Sequence, residues 1–184
     1  MIISRTWAMP NKKTFTIKPI RELIDKWVVE SEALDPFPFE YSEDALDYLK
    51  RQTPKRYALF DPPYSPRQLK ECYKGKGNFD TKASTWSTWK DELSKKILPG
   101  GICISFGWSS QGMGKNRGFV IKEILLVAHG GMHNDTICVV EQKVQSELPH
   151  KPKVEGSLRL EETSEGRTSI PPTIKMAGIL EVIL

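Results

Sequence analysis

The sequence predicts an α/β chain built on a mostly parallel sheet that ends in an antiparallel hairpin. Three observations lead there. The short apolar runs "YALF" and "GICISFGW" alternate with segments of helical spacing, the pattern of strands joined by helical crossovers. "YALF" is apolar at every position, as a central parallel strand buried on both faces has to be. Near the end, "ILLVAH" and "DTICVVEQKV" are separated only by "GGMHN", a short glycine-containing connection that suits a hairpin.

Each element has its own signal. In residues 17–29, Ile17, Ile20, Leu23, Ile24 and Trp27 recur at helical spacing, and Pro19 fits the first turn, where a missing N–H costs nothing. Residues 30–37 predict a short strand ending at Leu34 and stopped by Pro36. Residues 42–51 predict a helix with Ser42 as N-cap, Glu43 and Asp44 at its positive end, and Lys50 and Arg51 at the other. After "YALF" comes a basic stretch, then a predicted helix over 87–98, broken by "PGG". "GICISFGW" is the next strand, followed by the glycine-rich loop "GWSSQGMGKNRG", a short helix over 118–124 and the hairpin.

Composition narrows the classes. A length of 184 residues suits one domain, and a hydrophobic content of 39% with five Trp and seven Phe excludes global disorder. No apolar run reaches the length of a membrane-spanning helix. "MIISRTWAMPNKK" lacks the apolar core and cleavage site of a signal peptide. Cys72, Cys103 and Cys138 show no CxxC spacing and read as reduced, packed thiols of a cytoplasmic protein. From Pro149 the chain is rich in Pro, Glu, Ser and Gly without a period. The expected division is therefore a domain over 1–145 and a flexible tail over 146–184, whose apolar end "IKMAGILEVIL" could dock on this chain or on a partner.

The net charge is +4, and residues 65–90 hold six basic side chains against two acidic ones. Such a segment can follow a phosphate backbone; a solvated lysine-rich loop is the plain alternative. It follows directly on Asp61-Pro62-Pro63-Tyr64, which ends the "YALF" strand. Prolines fix φ and remove N–H donors. Pro62 thus offers its carbonyl as a pure acceptor beside the Asp61 carboxylate, and Tyr64 offers a flat face. Two acceptors suit the two N–H bonds of an exocyclic amine. The carboxyl end of a central parallel strand is also where open α/β sheets bind ligands.

Preceded by "YALF", Asp61-Pro62-Pro63-Tyr64 resembles the catalytic motif of amino-methyltransferases, above all the N6-adenine DNA methyltransferases. "FTIKPI", "LDPF", "DPPYSPRQLKECY", "GGICISFGW" and "GGMHNDTICVVEQK", in that order over residues 4–144, resemble the small adenine methyltransferases common in phages and prophages. The resemblance implies a Rossmann-like fold of the S-adenosylmethionine-dependent methyltransferases. It implies Asp61, Pro62, Pro63 and Tyr64 as the clamp on a flipped adenine. It also implies Thr16, Lys18 and Pro19 with Asp35, Pro36 and Phe37 as the cofactor site. DNA is the implied partner, and Arg67, Lys70, Lys74, Lys76 and Lys82 are placed to touch it.

The sequence departs from that family in one place. Asp35 and Asp61 are 26 positions apart, too close for a further βαβ unit, which takes roughly 30 residues of its own. The second strand, its loop and its ribose-binding acid are therefore expected to be missing, with Glu40 or Asp44 as substitutes for the acid. The sheet would begin at an exposed edge, a place for self-association into a homo-oligomer. A second reading follows, of a trimmed relative that binds DNA but no cofactor. A third keeps methyl transfer but moves it to cytosine N4, RNA or protein glutamine. No metal is needed, and His129 and His133 read as hairpin residues. Trp86 and Trp89 read as a core face before a base-stacking one, and Lys115 and Arg117 as loop residues that could also contact nucleic acid.

Overall fold

The computed structural model describes residues 1–38, 43–64, 83–131 and 133–144. In chain order the elements are strand β1 (Ile2–Trp7), helix α1 (Lys18–Trp27), strand β2 (Ala33–Leu34), helix α2 (Ala45–Arg51), strand β3 (Lys55–Phe60), helix α3 (Ala83–Lys95), and strands β4 (Ile97–Gly107), β5 (Phe119–Ala128) and β6 (Thr136–Lys143). Short 3-10 turns lie at Thr14–Thr16, Glu30–Glu32 and Lys115–Arg117. The chain divides at His150, and the tail expected over 146–184 lies outside the described residues.

The six strands form one sheet in the order β1-β5-β6-β4-β3-β2. The pairs β1–β5, β2–β3 and β3–β4 are parallel, and β6 runs antiparallel to both β4 and β5. This is the mostly parallel, Rossmann-like α/β sheet with a closing β5–β6 hairpin that the sequence predicts. Among the described residues the sheet ends at β2, and β2 reaches β3 through the single helix α2.

Both faces of the central strands are covered, and the pleat sorts their side chains. Ala58, Phe60 and Cys103 point into a core with Leu49, Trp89 and Leu93 of α2 and α3. Leu59, Ile102, Ile104 and Phe106 point into a second core with Ile20, Leu23 and Ile24 of α1. Helix α1 begins with Pro19 in its first turn, where the missing N–H is one of the unbonded donors in any case.

Four expectations change. Residues 118–124 are not a helix but the first half of β5. The run "FVIKEILLVA" is compatible with either period, and hydrogen bonding to β1 on one side and β6 on the other decides for strand. A register shift between Ile121 and Glu123 accommodates the run. Strand β1, unmarked in the sequence reading, pairs with β5 from Ile2↔Glu123 to Trp7↔Ala128. Helix α2 is capped by Asp44, whose carboxylate accepts from Leu46 N at 2.9 Å and Asp47 N at 3.2 Å; Ser42 lies outside the described residues. Helix α3 spans Ala83–Lys95 rather than 87–98, and β4 starts at Ile97, so "PGG" runs inside a strand. Gly101 makes that run possible, because a Cβ there would lie 2.6 Å from the Arg56 carbonyl oxygen.

Helix α1 is tied to β5 by the buried Glu123, which accepts from Lys26 Nζ at 2.7 Å and Trp27 Nε1 at 2.8 Å. These bonds hold its carboxyl below the usual range against the opposing effect of burial. Glu123→Ala is expected to lower the urea-unfolding free energy by about 1–3 kcal/mol, because the indole N–H loses its partner. Glu22→Ala, which breaks the exposed Lys18–Glu22 pair, is expected to change it by less than about 0.5 kcal/mol. Equal effects of the two substitutions would contradict this assignment.

Candidate active site

Because β2, β3 and β4 are parallel, their carboxyl ends share one edge. The register Leu34↔Ala58 and Phe60↔Ser105 brings the residues after β2 and β3 together there. Asp35 follows β2 and Asp61 follows β3. Pro62 and Pro63 come next, both buried, and without N–H donors they cannot extend the ladder.

The two carboxyl groups are close enough for Asp61 to raise the proton affinity of Asp35. Burial pushes Asp35 up to about 7, opposed by the Phe37 N–H, which donates to its Oδ1 at 2.9 Å, and reinforced by the charges of Asp61 and Glu30. Burial likewise pushes Asp61 up to about 6, opposed by a hydrogen bond with the Thr14 side chain. The buried Cys138 thiol is pushed up by burial and then by Asp61. Two partly dried acids at one edge of the sheet stabilise a cation or hold a proton. Thr14 was not singled out in the sequence, where Thr16 was the candidate; nothing in the local pattern distinguishes them.

Pro62 and Tyr64 belong to a pocket on the opposite side of the strand end, facing α3. It is partly open to solvent, and its walls include Trp86, Lys90, Ser105 and Trp108. Asp61 is not among its lining residues. The Tyr64 ring meets Trp86 edge-on, with centroids 5.0 Å apart at 89°, and stacks on Trp108 at 5.5 Å and 30°. It lies so close over Gly107 that a Cβ there would sit 2.7 Å from the ring. Among the described residues, the buried Trp86 Nε1 has no hydrogen-bond partner. Lys90 Nζ stands 5.6 Å from the Phe60 ring centroid, and burial foremost lowers its proton affinity.

The loop that follows Trp108 is pinned at its far end. Glu141 of β6, fully buried, accepts from Met113 N at 2.5 Å and Gly114 N at 3.0 Å. Gly112 is required there, since a Cβ would lie 2.1 Å from Glu141 Oε2 and φ is +53°. Lys90 Nζ donates to the Gly112 carbonyl at 2.5 Å, and Arg117 Nη1 to that of Met113 at 2.9 Å. Burial raises the proton affinity of Glu141, and these N–H groups and cations oppose it. The sequence hinted at this arrangement only through the glycines of "QGMGKNRG".

The remaining candidates are placed as follows. Thr16 is exposed, its hydroxyl donating to the Lys13 carbonyl at 2.8 Å. Lys18 is exposed beside Glu22. Pro36 is buried, and Phe37 is packed edge-on against Phe60 and Trp89. Asp44 is the cap of α2. Glu40, Arg67, Lys70, Lys74, Lys76 and Lys82 lie outside the described residues. Arg117 is half-buried, bonded to Asp91 at 2.7 Å and Ser87 Oγ at 2.9 Å, while Lys115 is exposed. His129 is buried between the Ala8 carbonyl (2.8 Å) and Thr136 Oγ1 (2.9 Å), and His133 is exposed. Trp89 is core; Trp86 faces the pocket. No described helix is long and apolar enough to cross a membrane.

No protein-family model matches the chain, and no curated protein matches it. Among solved structures, TrmN from Thermus thermophilus aligns at 15% identity with a TM-score of 0.36, over 55% of this chain and 27% of that one. The chain thus spans about a quarter of the length of TrmN. A methyltransferase from Pyrococcus furiosus aligns at 9% identity with a TM-score of 0.35, over 78% of this chain and 75% of that one.

The acid pair has a consequence for stability. In the folded chain Asp35 and Asp61 titrate near 7 and 6, well above the value of about 4 for an unfolded aspartate. The folded state therefore binds more protons between these limits. Its advantage is complete below about pH 4 and is lost as the pH rises to about 7. Asp35→Asn and Asp61→Asn are each expected to flatten that decline and to add roughly 1–2 kcal/mol at pH 8, allowing for solvent screening. Urea titrations of the three proteins from pH 4 to 8 check it, and parallel curves would contradict it.

Proposed function

We propose that this chain is an amino-methyltransferase that uses S-adenosylmethionine to methylate the N6 amine of an adenine flipped out of DNA. The observation that carries the reading is Asp61-Pro62-Pro63-Tyr64 at the carboxyl end of a central parallel strand, with a second acid, Asp35, beside it and an aromatic pocket around Tyr64. The two acceptors, Asp61 Oδ and the Pro62 carbonyl oxygen, take the two N–H bonds of the amine. Withdrawing those hydrogens returns the nitrogen lone pair from the ring to the nitrogen. As positive charge develops there, Asp61 Oδ is placed to accept the proton that leaves. Rigid prolines keep the acceptors from reorganising, a positioning effect. Tyr64 supplies a face for the base, which must leave the duplex to reach the clamp.

The donor set suits the cofactor. Bound, it supplies an electrophilic methyl group on a cationic sulfur. Asp35 and Asp61, both driven up by burial, gain from a neighbouring positive charge and would hold that cationic end. The basic residues 65–82 follow the clamp directly in the chain, which supports a polyanionic substrate. Purified protein with tritiated cofactor and adenine-containing DNA is expected to label the DNA. Asp61→Ala is expected to reduce labelling at least about 100-fold. Background labelling by both proteins overturns the reading.

One observation favours a second reading. Among the described residues the sheet stops at β2, and a single helix joins β2 to β3, so the wall that a further βαβ unit provides is not there. A cofactor-deficient DNA-binding relative would have this shape. Calorimetric titration with the cofactor decides: micromolar binding excludes the second reading, and DNA binding without cofactor binding selects it.

A further inference from the structure

The face of Tyr64 on which a base would stack is already covered. Trp108 lies across it with ring centroids 5.5 Å apart and planes 30° from parallel. A planar base between two rings needs about 7 Å from one outer plane to the other, so it cannot enter while Trp108 stays. Nothing else about Trp108 looks like a core residue. It is 52% exposed, and the three residues after it, Ser109, Ser110 and Gln111, are exposed as well.

The ends of this stretch differ from its middle. On one side is Gly107, which has no side chain to resist motion and over which the Tyr64 ring lies. On the other, Gly112 to Gly114 are held by Glu141, Lys90 and Arg117. A short exposed segment between a glycine and a pinned anchor can swing without disturbing the sheet. When it swings, the pocket keeps Tyr64, the edge of Trp86 with its buried N–H, and Lys90.

We propose that Trp108 is the gate of this pocket: it occupies the stacking face of Tyr64 in the free protein and leaves when a planar nucleobase takes its place. The proposal rests on the base-binding reading of the clamp. Trp108 competes with the base for the ring of Tyr64. The same competition weakens the base by whatever the Tyr64–Trp108 contact is worth.

The test is binding of a short single-stranded oligonucleotide carrying one 2-aminopurine, a fluorescent adenine analogue, to the full chain. Fluorescence quenching on stacking reads entry of the base. Trp108→Ala is expected to bind it about two- to ten-fold more tightly, the equilibrium equivalent of one aromatic pair, and Trp108→Phe to fall between. In wild-type protein labelled with 5-fluorotryptophan, the fluorine resonance assigned to Trp108 by its loss in Trp108→Phe is expected to shift on adding the oligonucleotide. Equal or weaker binding by Trp108→Ala, with quenching intact in both proteins, overturns the gate and leaves the base-binding reading standing. Absence of quenching in wild type and variant alike overturns both.

Discussion

Strands β3 and β4 are buried on both faces, and neither face can be left to water. Alternate residues therefore have to be apolar in two directions at once. Ala58 and Phe60 meet α2 and α3, while Leu59 meets α1. Helices are forced to both sides of the sheet, and the flanks of the central strands are taken up by β2 and β6. The carboxyl ends of these parallel strands share one edge. There the two prolines end β3 in rigid backbone that presents carbonyls and no N–H donors.

The same alternation divides the chemistry. Asp61 continues the parity of Leu59 and keeps company with Thr14 and Asp35 on the α1 side. Pro62 continues the parity of Phe60 and, with Tyr64, joins the pocket under α3. One strand end thus serves two environments. One is acidic and dry enough to raise two carboxyl groups; the other is aromatic. A cationic group and a planar ring would each find a different side of the same four residues.

Order in the pocket depends on a buried carboxylate that is not part of it. Glu141 is fully buried, which costs free energy unless its oxygens are bonded. Two backbone N–H groups satisfy it, and Lys90 and Arg117 stand near enough to offset its charge. The loop after Trp108 takes its shape from that anchor. The hydrogen bonds that offset the cost of burying the carboxylate also fix the two glycines on either side of the buried Met113.

Much of this was legible in the residues. The helical spacing of Ile17 to Trp27, the apolar "YALF", the hairpin around "GGMHN" and the strand stop at Asp61-Pro62-Pro63 are local patterns, and local sterics and periodicity decide them. So is the short interval between Asp35 and Asp61, which left no length for another strand. The order of β1, β5 and β6 was not legible, because "FVIKEILLVA" suits either period until ladder partners on both sides choose one. Nor was the partnership of Asp61 with Thr14, of Glu141 with Gly112, or of Tyr64 with Trp108. The sequence by itself determined which residues could carry the chemistry and where the strand must end. Only the tertiary structure decided which of them meet, because contacts between residues far apart in the chain depend on strand register and on the side of the pleat, and neither is written in any one segment.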